Sequence, residues 1–250
     1  MKLSLALQLY SLREMAQKDF PAALKEVARI GYKGVEFAGL QGHQPGEIRK
    51  LLDELGLEAC SAHCPAFDPQ KVEQNIEEGR ILGYSHVISG LAPEKFSSEK
   101  IIREHADKIN AVVGRYEEAG FTVCYHNHEY EYDAPNKGDL LLELCPKLQP
   151  QFDIYWLVTG GADPVKYIKK YAKRIYSIHI KDGPCDRNNR DKPMTAVGKG
   201  KVDVAAAVKA AEKTSAKWGI VELDHSEGDM LTAVRESFRY LADHQLGLGR

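Results

Sequence analysis

No apolar run in this chain of 250 residues approaches the roughly 18 to 20 residues that a membrane helix needs. The N-terminal "MKLSLALQLYSLRE" has only a short apolar part. Ser4 and Gln8 interrupt it and no small-residue cleavage site follows, so it reads as a strand rather than a signal peptide. Charge of one sign is also missing. A formal net charge of −2 gives no pull toward nucleic acid or anionic lipid. The five cysteines are Cys60, Cys64, Cys124, Cys145 and Cys185, an odd count at spacings that match no zinc module. They are expected to be reduced structural thiols in a cytoplasm. No linker or low-complexity segment divides the chain. "GKGKVD" is no nucleotide loop, because no strand precedes it at the required spacing.

What is there is a regular alternation. Apolar residues make up 43% and charged residues 28%, ordinary for a globular protein. Eight β-rich runs are expected at Leu3 to Leu9, Gly34 to Ala38, Leu57 to His63, His86 to Leu91, Phe121 to Asn127, Gln151 to Trp156, Ile175 to Lys181 and Gly219 to His225. Helical spacing fills the gaps. It is clearest from Ser98 to Glu118, where Ile102, Ile109, Val112, Val113 and Tyr116 share a side. Asp163 followed by Pro164, and Asp229, mark helix starts; Gly31, Gly56, Gly83 and Gly120 mark helix ends. Eight βα units in this length predict one (β/α)8 barrel domain over residues 1–250.

Strand alternation then sorts the side chains. Leu3, Leu5, Leu7 and Leu9 should meet the helices, leaving Ser4, Ala6 and Gln8 inward. By the same rule Tyr176, Ile178 and Ile180 point outward, and Ser177, His179 and Lys181 inward. Ile220, Glu222 and Asp224 face inward on the eighth strand, and Cys124, His126 and His128 share a face on the fifth. Polar inward residues gather toward the C-terminal strand ends, where barrel enzymes place their sites. They are Gln8, Glu36, His63, His126, His128, Asp153, His179, Lys181 and Glu222. The last four strands offer one strong metal-ligand type each: His126, Asp153, His179 and Glu222. Neighbouring strands lie about 4.8 Å apart, so four consecutive ends can surround one ion. Buried together without a cation, these groups would be costly to desolvate. Mixed nitrogen and oxygen donors suit Mn²⁺, the first choice, and also Co²⁺, Zn²⁺, Fe²⁺ or Ni²⁺; Mg²⁺ prefers more oxygen.

The chain resembles the sugar phosphate isomerase/epimerase group, the xylose isomerase-like barrels, which include ketose 3-epimerases and inosose dehydratase. The resemblance runs through "LALQLYSLRE", "GYKGVEFAG", "VCYHNHEYEY", "FDIYWLVTGGADPVKYIKKYAKRIYSIHIKDG" and "VELDHSEGDMLTAVRESFRYL". It implies that Asp153, His179 and Glu222 are metal ligands. It also implies a departure. The epimerases carry a glutamate six residues after the glycine that opens the fifth strand, and counting six from Gly120 reaches His126. In those enzymes the first and last glutamates work as a pair of bases. A metal-bound histidine does not replace the first of them, whereas inosose dehydratase is similar in having histidines at this strand end. Glu131 is the alternative first ligand.

The chemistry so implied is proton abstraction next to a carbonyl of a ketose or keto-sugar, with the divalent ion polarising the C=O. Glu222 is the expected base; His128 and Lys181, with His63, are expected to carry or donate protons. Gln8, Glu36, His63, Glu131 and Trp156 are expected substrate contacts, with Tyr130 and Tyr132 as pocket wall. The expected reaction is isomerisation or epimerisation, by return of the proton; the alternative, loss of a β-substituent, makes the enzyme a dehydratase or lyase of a keto-inositol or 3-keto-glycoside. The long segment "DGPCDRNNRDKPMTAVGKGKVD", with Arg187, Arg190 and Lys192, is a candidate lid. An abasic-site DNA endonuclease on the same barrel is disfavoured by the charge. A non-catalytic sugar-binding barrel is the other alternative. The expected partner is a small carbohydrate, not nucleic acid or membrane, and related barrels are often homo-oligomers.

Overall fold

The computed structural model describes residues 1–133 and 137–250. Eight parallel strands close on themselves in chain order: β1 (Ser4–Gln8), β2 (Gly34–Phe37), β3 (Glu58–His63), β4 (His86–Ser89), β5 (Thr122–His126), β6 (Gln149–Asp153), β7 (Ser177–Ile180) and β8 (Trp218–Val221). β1 pairs with both β2 and β8, so closure leaves no open edge. The helices are α1 (Arg13–Lys18), α2 (Phe20–Ile30), α3 (Pro45–Leu55), α4 (Val72–Leu82), α5 (Glu99–Glu118), α6 (Lys137–Leu144), α7 (Ile154–Thr159), α8 (Pro164–Lys170), α9 (Val204–Ala211) and α10 (Met230–Asp243). Among the described residues no helix is long and apolar enough to cross a membrane. The cysteines are all free thiols.

Local chemistry sets the ends. Ser98, Asp163 and Asp229 cap α5, α8 and α10 by accepting backbone N–H bonds. Gly31, Gly56 and Gly83 end their helices at φ of 116°, 60° and 92°, the left-handed region that glycine enters without strain. Leu3, Leu5 and Leu7 are fully buried and belong to the core between barrel and helices.

Two expectations are corrected. Ile154 to Trp156 are not strand but the start of α7. Asp153 Oδ1 accepts the Trp156 N–H at 3.0 Å, which caps and turns the chain there. A short apolar run alone does not distinguish strand from helix. Tyr176 does not point outward. β7 begins one residue later, so strand alternation does not bind it. Its ring packs with Ala6, Cys60, Trp218 and Ile220 and stacks on His86 at 3.3 Å, and its hydroxyl donates to the Cys60 carbonyl at 3.0 Å. This small apolar cluster fills the N-terminal floor of the barrel.

Candidate metal centre

The other end of the interior is polar because inward positions of adjacent strands carry acids, amides and imidazoles. The register sets Gln8 beside Glu36, Glu36 beside Ser61, His126 beside Gln151, and Asp153 beside His179. Donor atoms of His126, Asp153, His179 and Glu222 then lie within 4.8 Å of one another, and all four residues are buried.

The hydrogen bonds assign each donor. Gln151 Nε2 donates to Glu36 Oε2 at 2.7 Å and to Ser177 Oγ at 2.9 Å. Its Oε1 must therefore accept, from His63 Nε2 at 3.0 Å and from His126 Nδ1 at 3.2 Å. With its proton on Nδ1, His126 turns an unprotonated Nε2 toward Asp153 Oδ2 at 3.7 Å. Burial, with the neighbouring histidines and Lys181, holds His126 well below the usual imidazole range, so it stays neutral. Asp153 spends Oδ1 on the α7 cap; Oδ2 is buried and meets the Lys181 ammonium at 3.2 Å. Burial raises its pKa to about 6, against the pull of Lys181 and His179.

His179 bridges two carboxylates, with Nδ1 at 2.8 Å from Glu222 Oε2 and Nε2 at 2.7 Å from Glu36 Oε1. Burial opposes its charged form, yet Glu36 and Glu222 outweigh that and lift its pKa to about 10. Glu36 is a hub. It also accepts from Gln8 Nε2 at 2.8 Å and Ser61 Oγ at 2.6 Å and lies 3.1 Å from His63 Nε2. A buried carboxylate oxygen contacted by the Lys181 ammonium, a neutral imidazole lone pair aimed at it, and a second imidazole oriented by an outer carboxylate fit a divalent ion. His126, Asp153, His179 and Glu222 are the residues that would hold it. His63, His126 and His179 form a second potential cluster on the same network.

A cavity of about 420 Å³ opens above these groups, lined by Gln8, His63, His126, His128, Trp156, Lys181 and Glu222 among others. Clefts of about 600 and 580 Å³ flank the loop between β8 and α10, but neither contains the four-ligand cluster. Two of the expected substrate contacts do not line the cavity. Glu36 is fully buried beneath it. Glu131 is also fully buried and is tied to the Tyr125 hydroxyl and the His128 N–H. Glu131 therefore shapes the loop after β5, and burial pushes its pKa well up. Tyr130 and Tyr132, expected as pocket wall, are likewise outside the cavity lining: Tyr130 stacks on His128 behind it, and Tyr132 packs on Tyr167.

His128 does line the cavity. The Tyr130 hydroxyl donates to the Leu91 carbonyl, so it must accept from His128 Nδ1 at 3.1 Å, which leaves Nε2 with a free lone pair. Burial, with Lys181 and Arg190 nearby, lowers the His128 pKa to about 3. It is an acceptor, not an acid, at neutral pH.

Gln151 was not singled out from sequence, and Asp224 and Arg190 were placed only as an inward residue and as part of a candidate lid. Gln151 orients two histidines; its inward parity with Asp153 was the available signal. Asp224 contacts Lys181. The long loop after β7 brings Arg190 over Trp156, 5.4 Å from its ring centre and 3.2 Å from Glu129 Oε1. The Asp191 carbonyl meets His225 Nε2 at 2.8 Å, fastening the loop to the mouth. Asp182 organises the base of that loop by accepting the N–H groups of Gly183, Gly198, Gly200 and Val202. A Cβ on Gly200 would meet Asp182 Oδ1 at 2.1 Å, so its close backbone approach serves this carboxylate rather than a ligand.

Known proteins share this arrangement at the level of fold. A solved sugar phosphate isomerase/epimerase from Parabacteroides distasonis superposes with a TM-score of 0.82 at 22% identity, over 99% of this chain and 96% of its own. The IOLI protein, solved with a bound zinc atom, superposes with a TM-score of 0.77 at 16% identity, over 97% of each chain. The inosose dehydratase of Clostridium beijerinckii is 22% identical, covering 90% of this chain and 87% of its own length. The model of the xylose isomerase-like TIM barrel family matches residues 24–244. With that match across most of its length, the chain belongs to the xylose isomerase-like TIM barrel family.

Proposed function

We propose that this chain is a divalent-metal-dependent enzyme that removes a proton next to the carbonyl of a keto-sugar or keto-inositol and then eliminates a β-hydroxyl as water. The observation that carries the reading is the four-ligand cluster under a 420 Å³ cavity whose first ligand is His126 in place of a carboxylate. Of the four cluster residues, that leaves Glu222 as the one carboxylate lining the cavity. The similarity to an inosose dehydratase supports the same choice. A bound divalent ion, with Mn²⁺ as first choice and Zn²⁺ an equal fit to the donors, supplies Lewis-acid polarisation of the carbonyl.

The chain's own residues do the rest. Glu222 lines the cavity and places Oε2 against His179 and Lys181, while Oε1 has no hydrogen bond among the described residues. Oε1 takes the α-proton, and the C–H electron pair moves toward the carbonyl oxygen. As that pair returns, the bond to the β-oxygen breaks, and the departing hydroxide takes a proton from Lys181. The proton taken by Glu222 is then returned to the deprotonated Lys181, which restores both groups with net loss of one water. His128 Nε2 accepts from a sugar hydroxyl, and Trp156 with Arg190 over it closes one side of the cavity. The lining carries Lys181 and Arg190 against Asp191, Glu222 and Asp224, a balance that suits an uncharged polyol.

Isomerisation or epimerisation shares the first step and differs in where the proton returns. The test is incubation of the Mn²⁺-loaded protein with keto-inositols, ketoses and 3-keto-glycosides in D₂O, followed by NMR. Formation of an unsaturated ketone with loss of a β-oxygen supports elimination. Deuterium at an α-carbon with inversion or carbonyl migration replaces it with epimerisation or isomerisation. No exchange with any of these compounds contradicts the enolisation chemistry.

A further inference from the structure

Lys181 is 2% exposed, and its ammonium touches three carboxylates. Nζ lies 2.7 Å from Glu222 Oε2, 3.2 Å from Asp153 Oδ2, and 3.1 and 3.2 Å from the two oxygens of Asp224. Asp153 and Glu222 belong to the four-ligand cluster; Asp224 does not. The lysine and a divalent ion therefore draw on the same two carboxylates, and two cations sharing them repel each other. Removing the lysine's charge is no remedy if it must serve as a proton donor beside the ion.

We propose that Asp224 is a positioning residue that draws the Lys181 ammonium off Asp153 and Glu222, so that a divalent ion takes those two carboxylates while the lysine stays charged beside it. The proposal rests on the metal-centre reading above. Asp224 lies two residues beyond Glu222, past the end of β8, and both line the cavity. Both its oxygens already contact Nζ, and its side chain is 27% exposed, so it faces the mouth rather than the cluster. The Asp224 N–H is held by Met194 Sδ at 3.4 Å, which fixes the anchor to the loop after β7. The lysine stem has the length to pivot. The Trp156 ring, 5.6 Å from Nζ, offers a second face that favours a cation. Glu36, the fully buried carboxylate beneath the cluster, is already engaged by Gln8, Ser61, Gln151 and His179.

The test is a double-mutant cycle read by Mn²⁺ binding, with no substrate present. The metal-stripped full chain is titrated with MnCl₂ by calorimetry and by the loss of free-Mn²⁺ electron spin resonance signal. Asp224→Asn is expected to weaken Mn²⁺ binding about tenfold, and Asp224→Glu to recover most of the loss. In a Lys181→Met background, Asp224→Asn is expected to change the affinity less than about threefold, because the competing cation is gone. Lys181→Gln serves as a second background, and thermal melts with and without Mn²⁺ confirm that each variant folds. An equal loss in both backgrounds, or no loss in the first, overturns the proposal and leaves the metal centre standing. No Mn²⁺ binding by the wild-type chain overturns both. Coupling without proton exchange on any keto-sugar upholds the role of Asp224 and removes only the proposed reaction.

Discussion

The two ends of the barrel interior bury histidines to opposite effect. At the floor, His86 stacks on Tyr176 with Lys217 nearby; burial chiefly, and that cation, push its pKa down to about 4. At the mouth, His179 is more completely buried and yet rises to about 10, because Glu36 and Glu222 flank its two nitrogens. Desolvation opposes the imidazolium in both places. Paired carboxylates reverse its outcome in one. The same strands thus supply an apolar plug at one end and a charged cluster at the other, and that division assigns stability to the floor and chemistry to the mouth.

The comparison breaks most sharply at Glu222. Glu222→Gln keeps the shape of the side chain but removes a base and a ligand. Turnover in the NMR assay is expected to fall by about a thousandfold or more, with the circular dichroism spectrum retained. Trp218→Ala acts at the other end. It opens the floor cluster and should cost about 3–5 kcal/mol of stability by urea unfolding, while Mn²⁺ affinity of the folded protein stays unchanged. Equal losses in both measurements would erase the distinction between the two ends.

Glu36→Gln sharpens it. The change leaves His179 without its outer carboxylate, and Mn²⁺ affinity is expected to drop about 10–100-fold, with kcat at saturating metal less affected than the affinity. The smallest effect belongs to His86. Its folded pKa of about 4 lies below the ordinary 6.5, so the unfolded chain binds more protons between those values. Stability is complete above pH 6.5 and declines as pH falls toward 4. His86→Phe should flatten that part of the stability curve; an unchanged slope would show that the acid sensitivity arises elsewhere.

Much of this was legible in the sequence because period-two alternation survives even in strands of four or five residues. Leu3, Leu5 and Leu7 against Gln8, and His179 against Ile178, place themselves once the strand is recognised. His126, Asp153, His179 and Glu222 could be gathered from strand order alone. What alternation cannot reach is contact between strands that are distant in sequence. Glu36 looked like a substrate contact because its bonds to His179 and Gln151 depend on closure of the barrel. Glu131 looked available because nothing in "HNHEYEY" shows its carboxylate folding back onto the His128 N–H. Tyr176 escaped because it precedes its strand, and Ile154 because an apolar run does not reveal that Asp153 caps a helix. Arg190 could be assigned to a candidate lid, but its seat over Trp156 depends on the path of a long loop.

One crystal of the Mn²⁺-soaked protein, measured at a wavelength where manganese scatters anomalously, tests the central claim most directly. The account predicts a single strong peak bonded to His126, Asp153, His179 and Glu222, with the Lys181 ammonium withdrawn to Asp224. A peak held by other side chains, or none while Lys181 still bridges Asp153 and Glu222, would contradict it.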